Sequence, residues 1–317
     1  MKDKIIITSL FPEELVGKLE KVAEVIPWET DKFDLMPRDK ALSCIKDTTA
    51  IINVGDICID KELIEMAGRL KIVSNVAIGY DNVDVEELTR RGIWLTNTPE
   101  YFAYPVVEIV IAGMICISRR LVEVGDFVRS GEWARFEPGR WDGRSLQDKT
   151  LGIIGYGKIG RYLKPIAESF GMDVLCYDSC PAEGEQYCSL GQLLSESDFV
   201  SVHIPMSQEN KGLFNRNVFL QMKKGSIFIN ASRGGIMCEK DLVDALLSGH
   251  LGGAVLDVFE NEPAVSPELL TMKNVFLTPH VGGGTVSSRY KSQELATENV
   301  LAVLEGKKPL TPINQVI

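Results

Sequence analysis

The 317-residue chain has no long uncharged apolar run, no CxxC pair and no basic patch, and it carries only three histidines. Its longest uncharged apolar run, 109–118, falls well short of the roughly 20 residues that a bilayer span needs, which argues against a membrane protein. The N-terminus reads Met-Lys-Asp-Lys and then Ile5, Ile6 and Ile7. That run is too short for a signal-peptide core and is followed by no small-residue cleavage site, so export is not expected. Seven cysteines, an odd number, are scattered at 44, 58, 116, 176, 180, 188 and 238, and the histidines at 203, 250 and 280 lie far apart. No zinc motif results and no metal is expected. The thiols read as reduced and mostly buried, as in a cytoplasmic protein. With 34 basic against 44 acidic residues the net charge is −10, which repels a phosphate backbone. Arg119–Arg120, Lys223–Lys224 and Lys307–Lys308 are isolated pairs, so nucleic acid is not an expected partner.

What is present is a hydrophobic fraction of 45% beside a charged fraction of 25%, the mix of a globular chain with a sizeable core. The length suggests two domains. Short apolar runs at 5–8, 22–26, 50–54, 71–75 and 93–96 alternate with helix-like stretches such as 60–67 and 84–90, the latter closed by Gly92. Alternation of this kind marks βαβ units around a parallel sheet, and β-branched runs without polar alternation fit strands buried on both faces. A second series begins near Thr150, with strands expected at 150–155, 172–177, 199–204, 226–230, 253–257 and 275–278 and helices at 158–170 and 239–248. Six strands with a glycine-rich first turn is the count of a doubly wound dinucleotide fold. Between the series lie a helix candidate at 104–120 and a Gly/Trp/Arg-rich stretch at 130–144, and a last helix is expected over 287–305. A terminal helix placed there can pack back on the first domain and make it discontinuous.

The strongest local signal is Gly155-Tyr156-Gly157-Lys158-Ile159-Gly160. Alone a GxGxxG is weak, but this one follows the apolar Leu151, Ile153 and Ile154, and it opens a helical pattern with Asp178 ending the next strand. In that context Gly155 makes the tight turn, Gly157 lets backbone approach a pyrophosphate, Gly160 allows close helix–strand packing, and the helix N-terminus offers N–H donors. Asp178 would accept hydrogen bonds from the adenosine ribose. A carboxylate there repels a 2′-phosphate, and no arginine follows in Ser179-Cys180-Pro181, so NAD is favoured over NADP. The alternative is a turn-forming glycine cluster beside a solvated Asp178.

Beyond the carboxyl ends of the later strands stand Ala231-Ser232-Arg233-Gly234-Gly235, Val258-Phe259-Glu260-Asn261-Glu262-Pro263 and Pro279-His280. Ligands of open α/β sheets sit at that edge. Singly, Arg233 reads as a surface ion-pair partner, Glu262 as a solvated acid and His280 as an edge histidine. Together they suit reduction of a 2-oxo acid: Arg233 to bind the carboxylate with a permanently charged fork, and His280 to exchange a proton with the carbonyl oxygen. Glu262 would fix the imidazole tautomer and raise its pKa. His203, before Pro205, is a candidate to line the cofactor site, and His250, after Gly249, reads as a helix cap.

NVAIGYDNVD at 75–84, GIIGYGKIG at 152–160, INASRGG at 229–235, GGAVLDVFENEP at 252–263 and LTPHVGG at 277–283 together resemble the D-isomer-specific 2-hydroxyacid dehydrogenase family essentially end to end. The resemblance implies an α/β protein of two doubly wound parallel-sheet domains. These are a flavodoxin-like substrate domain of residues 1–98 and 287–317 and a Rossmann NAD-binding domain of residues 99–286. It implies Arg233, Glu262 and His280 as catalytic residues, with the amides of Ile78 and Gly79 holding the substrate carboxylate. It further implies cofactor contacts from Lys158, Ile159, Asp178, Pro205, Ala231, Arg233, Asp257, His280 and Gly283. Family members are dimers through the nucleotide domains, and 130–144 resembles the interface arm. Within the family the chain is most similar to glyoxylate and hydroxypyruvate reductases, notably in NVAIGYDNVD and in SGEW at 130–133. A phosphoglycerate dehydrogenase is the close competitor. Asp56 stands where relatives that bind phosphorylated substrates tend to place basic residues, and the chain ends at Ile317 without a regulatory domain. Formate dehydrogenases carry glutamine where Glu262 stands. Transcriptional corepressors, NAD(H)-responsive regulators that keep the trio, usually have long disordered tails, which this chain lacks. Two departures stand out. Cys238 occupies a position where aspartate is usual and is expected to affect only the neighbouring helix start. The stretch 101–106, with Pro105, is expected to reshape a pocket mouth formed by loops around Ile78, Tyr101 and Trp141.

Overall fold

The computed structural model describes residues 2–28, 34–55 and 57–316. Asp56 and Ile317, which bear on the substrate argument above, lie outside the described residues. In chain order the elements are β1 (Lys4–Ile7), α1 (Glu13–Glu20), β2 (Glu24–Pro27), α2 (Arg38–Cys44), β3 (Ala50–Asn53), α3 (Lys61–Met66), β4 (Ile72–Asn75), α4 (Val85–Arg90), β5 (Trp94–Thr96), α5 (Pro99–Arg119) and α6 (Leu121–Arg129). They continue with β6 (Thr150–Ile154), α7 (Lys158–Ser169), β7 (Asp173–Tyr177), α8 (Leu190–Glu196), β8 (Phe199–Val202), α9 (Arg216–Gln221), β9 (Ile227–Asn230), α10 (Glu239–Leu247), β10 (Gly253–Leu256), α11 (Pro267–Thr271), β11 (Val275–Leu277) and α12 (Val286–Leu304). The chain forms two compact units, Met1–Phe102 with Gly284–Ile317, and Ala103–Gly283.

The smaller unit is a five-stranded sheet in the order β2-β1-β3-β4-β5, parallel throughout. This is the flavodoxin-like order, with a switch point between β1 and β3. Successive side chains go to opposite faces. Ile6, Ile51, Val73 and Leu95 fill one core, while Ile5, Ile7, Ile52 and Ile72 fill the other with Ala296, Val300 and Val303 of α12. Helix starts follow capping chemistry. Asp60 accepts the Leu63 N–H at 3.1 Å and Asp84 the Glu87 N–H at 2.9 Å, while Thr285 and Ser288 exchange bonds at the start of α12. The Ser74 hydroxyl donates to the Ala296 carbonyl at 3.2 Å, tying α12 to β4.

The larger unit is a six-stranded sheet in the order β11-β10-β9-β8-β6-β7, again all parallel. Counted within the unit this is 2-1-3-4-5-6, not the 3-2-1-4-5-6 of the most familiar dinucleotide sheet. Where a third strand would flank β7, the chain makes one such contact, the Cys188 N–H donating to the Cys176 carbonyl at 3.0 Å. The doubly wound character is kept, with the switch point between β6 and β8.

Helix α5 begins earlier than the apolar pattern suggests, because Pro99 suits a first helical turn. Its 21 residues are long and apolar enough to cross a membrane; the uncharged run at 109–118 understated it, since the helix also includes Glu100 and Glu108. Val106, Val107, Val110 and Met114 are buried in the core of the larger unit with Ile153, Ile229 and Val255. Gly113 permits that approach: a Cβ there would overlap the Val255 side chain. The expectation that the cysteines are mostly buried fails. All seven are free, but only Cys176 is buried and Cys58 and Cys180 are exposed. Reduced thiols need no core position to persist.

Cys238 is the N-cap of α10 and makes no side-chain capping bond. A hydroxyl at that position would satisfy a first-turn N–H, so Cys238→Ser should raise stability by about 1 kcal/mol. Urea or thermal unfolding measures this, and an unchanged midpoint would show that the helix start needs no side-chain acceptor.

Candidate functional site

Three loops leave β9, β10 and β11 at the carboxyl edge of the larger sheet. After β9, the Asn230 side chain closes the turn. Its Oδ1 accepts from the Ser232 N–H at 3.0 Å and the Ser232 hydroxyl at 2.8 Å, and its Nδ2 donates to the Arg233 carbonyl at 2.9 Å. Arg233 is half-buried, and its Nη1 donates to the Ser232 carbonyl at 2.9 Å. Gly234 then lies directly on the Phe259 carbonyl, where a Cβ could not fit, so the Arg233 loop and the Glu262 loop touch backbone to backbone.

After β10, Asp257 is 2% exposed and gathers the third loop. Its carboxylate accepts from the Thr278 hydroxyl at 2.6 Å, the Val281 N–H at 2.9 Å and the Gly282 N–H at 2.7 Å. Between them His280 adopts φ +52°, a left-handed conformation that non-glycine residues rarely take without support. Its N–H donates to the Asp257 carbonyl at 2.8 Å. The His280 imidazole Nδ1 meets Glu262 Oε2 at 2.7 Å, and the other Glu262 oxygen accepts the Phe259 N–H at 2.9 Å.

The electrostatics follow from this geometry. The hydrogen bond to Glu262 raises the His280 pKa above the ordinary imidazole value; burial and Arg233 oppose it, and the charges of Glu262 and Asp257 reinforce it. Burial pushes the Glu262 carboxyl up. Hydrogen bonds from His280 and the Phe259 N–H outweigh that, together with the charges of His280 and Arg233, and hold it below the usual range. Arg233 thus acts on both members of the pair. The result is a protonatable imidazole with Nδ1 committed and Nε2 left to exchange a proton.

The glycine-rich turn follows β6. Gly155 has φ +93° and its Cα packs on the His203 backbone, which a Cβ would meet at 2.7 Å. A Cβ on Gly160 would meet the Gly155 carbonyl at 2.8 Å, so both residues are fixed by close approach. Gly157 differs: a Cβ there would meet nothing within 4 Å, and as N-cap of α7 it offers no side chain to that helix start. The start of α7, at Lys158 and Ile159, is therefore not shielded by a side chain at Gly157, as backbone approach of a pyrophosphate to a helix N-terminus requires. The Asp178 carboxylate accepts the Tyr156 N–H at 2.8 Å on one oxygen and the Cys180 N–H at 2.9 Å on the other. It keeps lone pairs for a ribose diol. Pro205 is exposed and Gly283 half-buried, whereas Ala231 is 8% exposed. These residues fit a nicotinamide dinucleotide.

In the smaller unit, the Ile78 carbonyl accepts from Asn97 Nδ2 and the Gly79 carbonyl from Asn75 Nδ2, each at 2.8 Å. Neither the Ile78 nor the Gly79 N–H donates a hydrogen bond among the described residues. Tied carbonyls and open amides of this kind suit an anion. Trp141, expected at a pocket mouth, instead packs on Phe127 with ring centroids 5.0 Å apart. It lines a cavity of about 660 Å³ with Arg120 and Arg140 that includes none of Arg233, Glu262 and His280. His250 closes α10 through its backbone, its N–H donating to the Ala245 carbonyl at 3.1 Å after the left-handed Gly249. Its Nε2 donates to the carbonyl of Met222 at the end of α9, at 3.0 Å. Asn230, Gly234, Thr278 and Glu239 escaped the sequence reading as site-shaping residues. Only the Gly234-Gly235 pair carried a signal, since paired glycines mark close backbone approach.

The family model described as D-isomer specific 2-hydroxyacid dehydrogenase, NAD binding domain, matches residues 111–282. A glyoxylate reductase of Thermococcus litoralis is 39% identical over 99% of this chain and 98% of its own length. The crystal structure of a glyoxylate reductase from Paecilomyes thermophila superposes with a TM-score of 0.88 at 27% identity, over 98% of each chain. An NADPH-dependent glyoxylate/hydroxypyruvate reductase of Sinorhizobium meliloti, in complex with NADP and malonate, superposes with a TM-score of 0.87 at 29% identity, covering 99% of this chain and 97% of that one.

His203, on the same strand face as Ser201, bonds the Ser201 hydroxyl through Nε2 at 2.8 Å, and its buried Nδ1 has no partner. Burial lowers its pKa to about 4. The folded state therefore resists a proton that the unfolded chain takes up below the ordinary pKa of 6.5, and stability is lost as pH falls from there towards 4. At pH 5 the loss should be about 2 kcal/mol. His280 acts in the opposite sense, so the comparison is with His203→Gln: between pH 7.5 and 5 the wild type should lose more unfolding free energy than the variant. Equal losses would show His203 already protonated in the fold.

Proposed function

Because the chain belongs to the D-isomer specific 2-hydroxyacid dehydrogenase family and is an NAD-dependent oxidoreductase, we propose that it reduces the C2 carbonyl of glyoxylate or hydroxypyruvate, giving a D-2-hydroxy acid where C2 is chiral. The observation that carries this reading is the 2.7 Å Glu262–His280 pair with Arg233 acting on both partners. A bound NADH supplies the hydride. Arg233 binds the substrate carboxylate and polarises the carbonyl. His280 Nε2 gives its proton to the carbonyl oxygen and recovers one in the reverse direction. Glu262 holds the imidazole through Nδ1 and stabilises its charged form, so the acid persists near neutrality. The open amides of Ile78 and Gly79 are the carboxylate contacts we assign in the smaller unit.

For the cofactor, Gly155, Gly157 and Gly160 shape the turn, Lys158 and Ile159 open the helix, and Asp178 takes the ribose. Pro205, Ala231, Asp257 and Gly283 complete the edge. We favour NAD over NADP because the Asp178 carboxylate, if it takes the ribose diol, would repel a 2′-phosphate. In addition, Arg161 in the first turns of α7 is already held by Glu185 at 2.6 Å. The Sinorhizobium relative is NADPH-dependent by name, so the two nucleotides must be compared directly.

NADH oxidation at 340 nm with glyoxylate, hydroxypyruvate, pyruvate and 3-phosphohydroxypyruvate tests the assignment. Glyoxylate or hydroxypyruvate should turn over fastest, and faster with NADH than with NADPH. Arg233→Ala and His280→Ala should each lower kcat/KM by about a hundredfold or more while NADH binding, followed by fluorescence, stays within a few-fold. A full rate in either variant would overturn the mechanism, and a preference for the phosphorylated acid would overturn the substrate.

We infer further that the protein is a homodimer. No residue of α6 is buried, and Leu121, Val122, Val128, Trp133 and Phe136 are exposed large apolar side chains, Phe136 at 82%. An apolar face of that extent suits a second copy of the chain. Sedimentation equilibrium should give a dimer for the wild type and a monomer for Val122→Glu with Phe136→Glu; a monomeric wild type would refute it.

A further inference from the structure

Glu239, the first residue of α10, is 5% exposed and has no part in the reaction proposed above. Its two carboxylate oxygens are both taken by backbone amides of one loop: Oε2 accepts the Glu260 N–H at 3.1 Å and Oε1 the Ser266 N–H at 2.7 Å. Glu260 returns the bond, its Oε2 accepting the Glu239 N–H at 2.8 Å. The segment between those two amides carries Glu262. Inside it, Asn261 and Ala264 pair across a tight turn, and just before it the Phe259 N–H reaches Glu262 Oε1. The loop has no strand neighbour to fix it, so its geometry depends on what its amides can find. A carboxylate buried at a helix N-terminus is well placed to serve, since the helix dipole favours negative charge there and amide bonds to a charged acceptor are strong.

We propose that Glu239 is the positioning residue for Glu262. By anchoring both ends of the 260–266 loop, it sets the distance at which Glu262 meets His280. Its consequence for turnover rests on the function proposed above; its consequence for the pair does not.

Glu239→Gln keeps size and shape but turns an NH₂ group towards one of the two amides, freeing that end of the loop. The direct readout is the titration of the His280 imidazole by NMR in the protein without cofactor. It is assigned by comparison with His280→Ala and simplified by a histidine content of three. The charged groups acting on His280 are Glu262, Arg233 and Asp257. The last two are untouched by the substitution, so a shift reports on Glu262. The His280 midpoint should fall towards the ordinary imidazole value. In the assay, kcat should drop about tenfold or more with a matching displacement of its pH profile, and NADH affinity should stay within a few-fold. A variant that melts earlier yet keeps the wild-type His280 titration would overturn the proposal, because Glu239 would then only stabilise the fold.

Should Glu239→Gln fail to fold, Ser266→Pro removes a single anchoring N–H at a residue whose φ of −54° already suits proline. It should shift the His280 titration in the same direction by a smaller amount, and no shift there would equally overturn the proposal. If His280→Ala retained the wild-type rate, the function reading would fail while the NMR titration still decided the role of Glu239.

Discussion

Strand ladders stop at Asn230, Leu256 and Leu277, and Arg233, Glu262 and His280 lie just beyond, where three loops have no ladder to hold them. Their amides must still find acceptors. The acceptors are carboxylates: Asp257 for Val281 and Gly282, Glu262 for Phe259 and Glu239 for Glu260 and Ser266. Asp178 does the same for Tyr156 and Cys180 at the glycine turn. The chain thus uses buried or half-buried acids as turn anchors at the very edge where Arg233 and His280 supply positive charge. That mixture keeps the site from carrying a large net charge of either sign and leaves His280 able to hold or release its proton.

Anchoring by side chains also explains the unusual backbone of His280. A left-handed residue costs about 1–3 kcal/mol, and the conformation persists because the residues after it are bound to Asp257 and its own N–H to the Asp257 carbonyl. The imidazole is thereby aimed by backbone geometry as well as by its hydrogen bond to Glu262. Gly234 has a similar part, letting the Arg233 loop rest on the Phe259 carbonyl. The placement of these side chains therefore rests on a few positions where backbone meets backbone.

The parts of the fold carried by periodicity were legible in the sequence. Strands such as β1, β3 and β4 are short β-branched runs, and α3, α4 and α7 open on residues whose capping or glycine chemistry is local. The dinucleotide turn was legible because its glycines and Asp178 sit at fixed offsets along one βαβ unit. Strand order was not, since nothing in a sequence distinguishes an absent third strand from a loop such as that before Cys188. Helix α6 was missed because its apolar side chains face outward. The trio was reachable from its placement after three successive strands, whereas Glu239 was not: an acid at a helix start looks like an ordinary dipole partner, and only the tertiary fold puts the Glu260 and Ser266 amides against it. Trp141 could not be placed for the same reason, since only the fold shows its partners to be Phe127 and Arg140.

The return of α12 to the smaller unit has a consequence for how the chain is made. Translation delivers β1 through β5 early, yet the helix that covers one face of that sheet, including the Ala296 carbonyl bonded to Ser74 across 222 residues of sequence, emerges only after the whole larger unit. Until then Ile5, Ile7, Ile52 and Ile72 have one side of their core missing. The larger unit is a single unbroken stretch, completed before α12 leaves the ribosome. Vectorial synthesis therefore makes the first unit begun the last one finished, and the interval between is the period in which its sheet most needs protection from other chains.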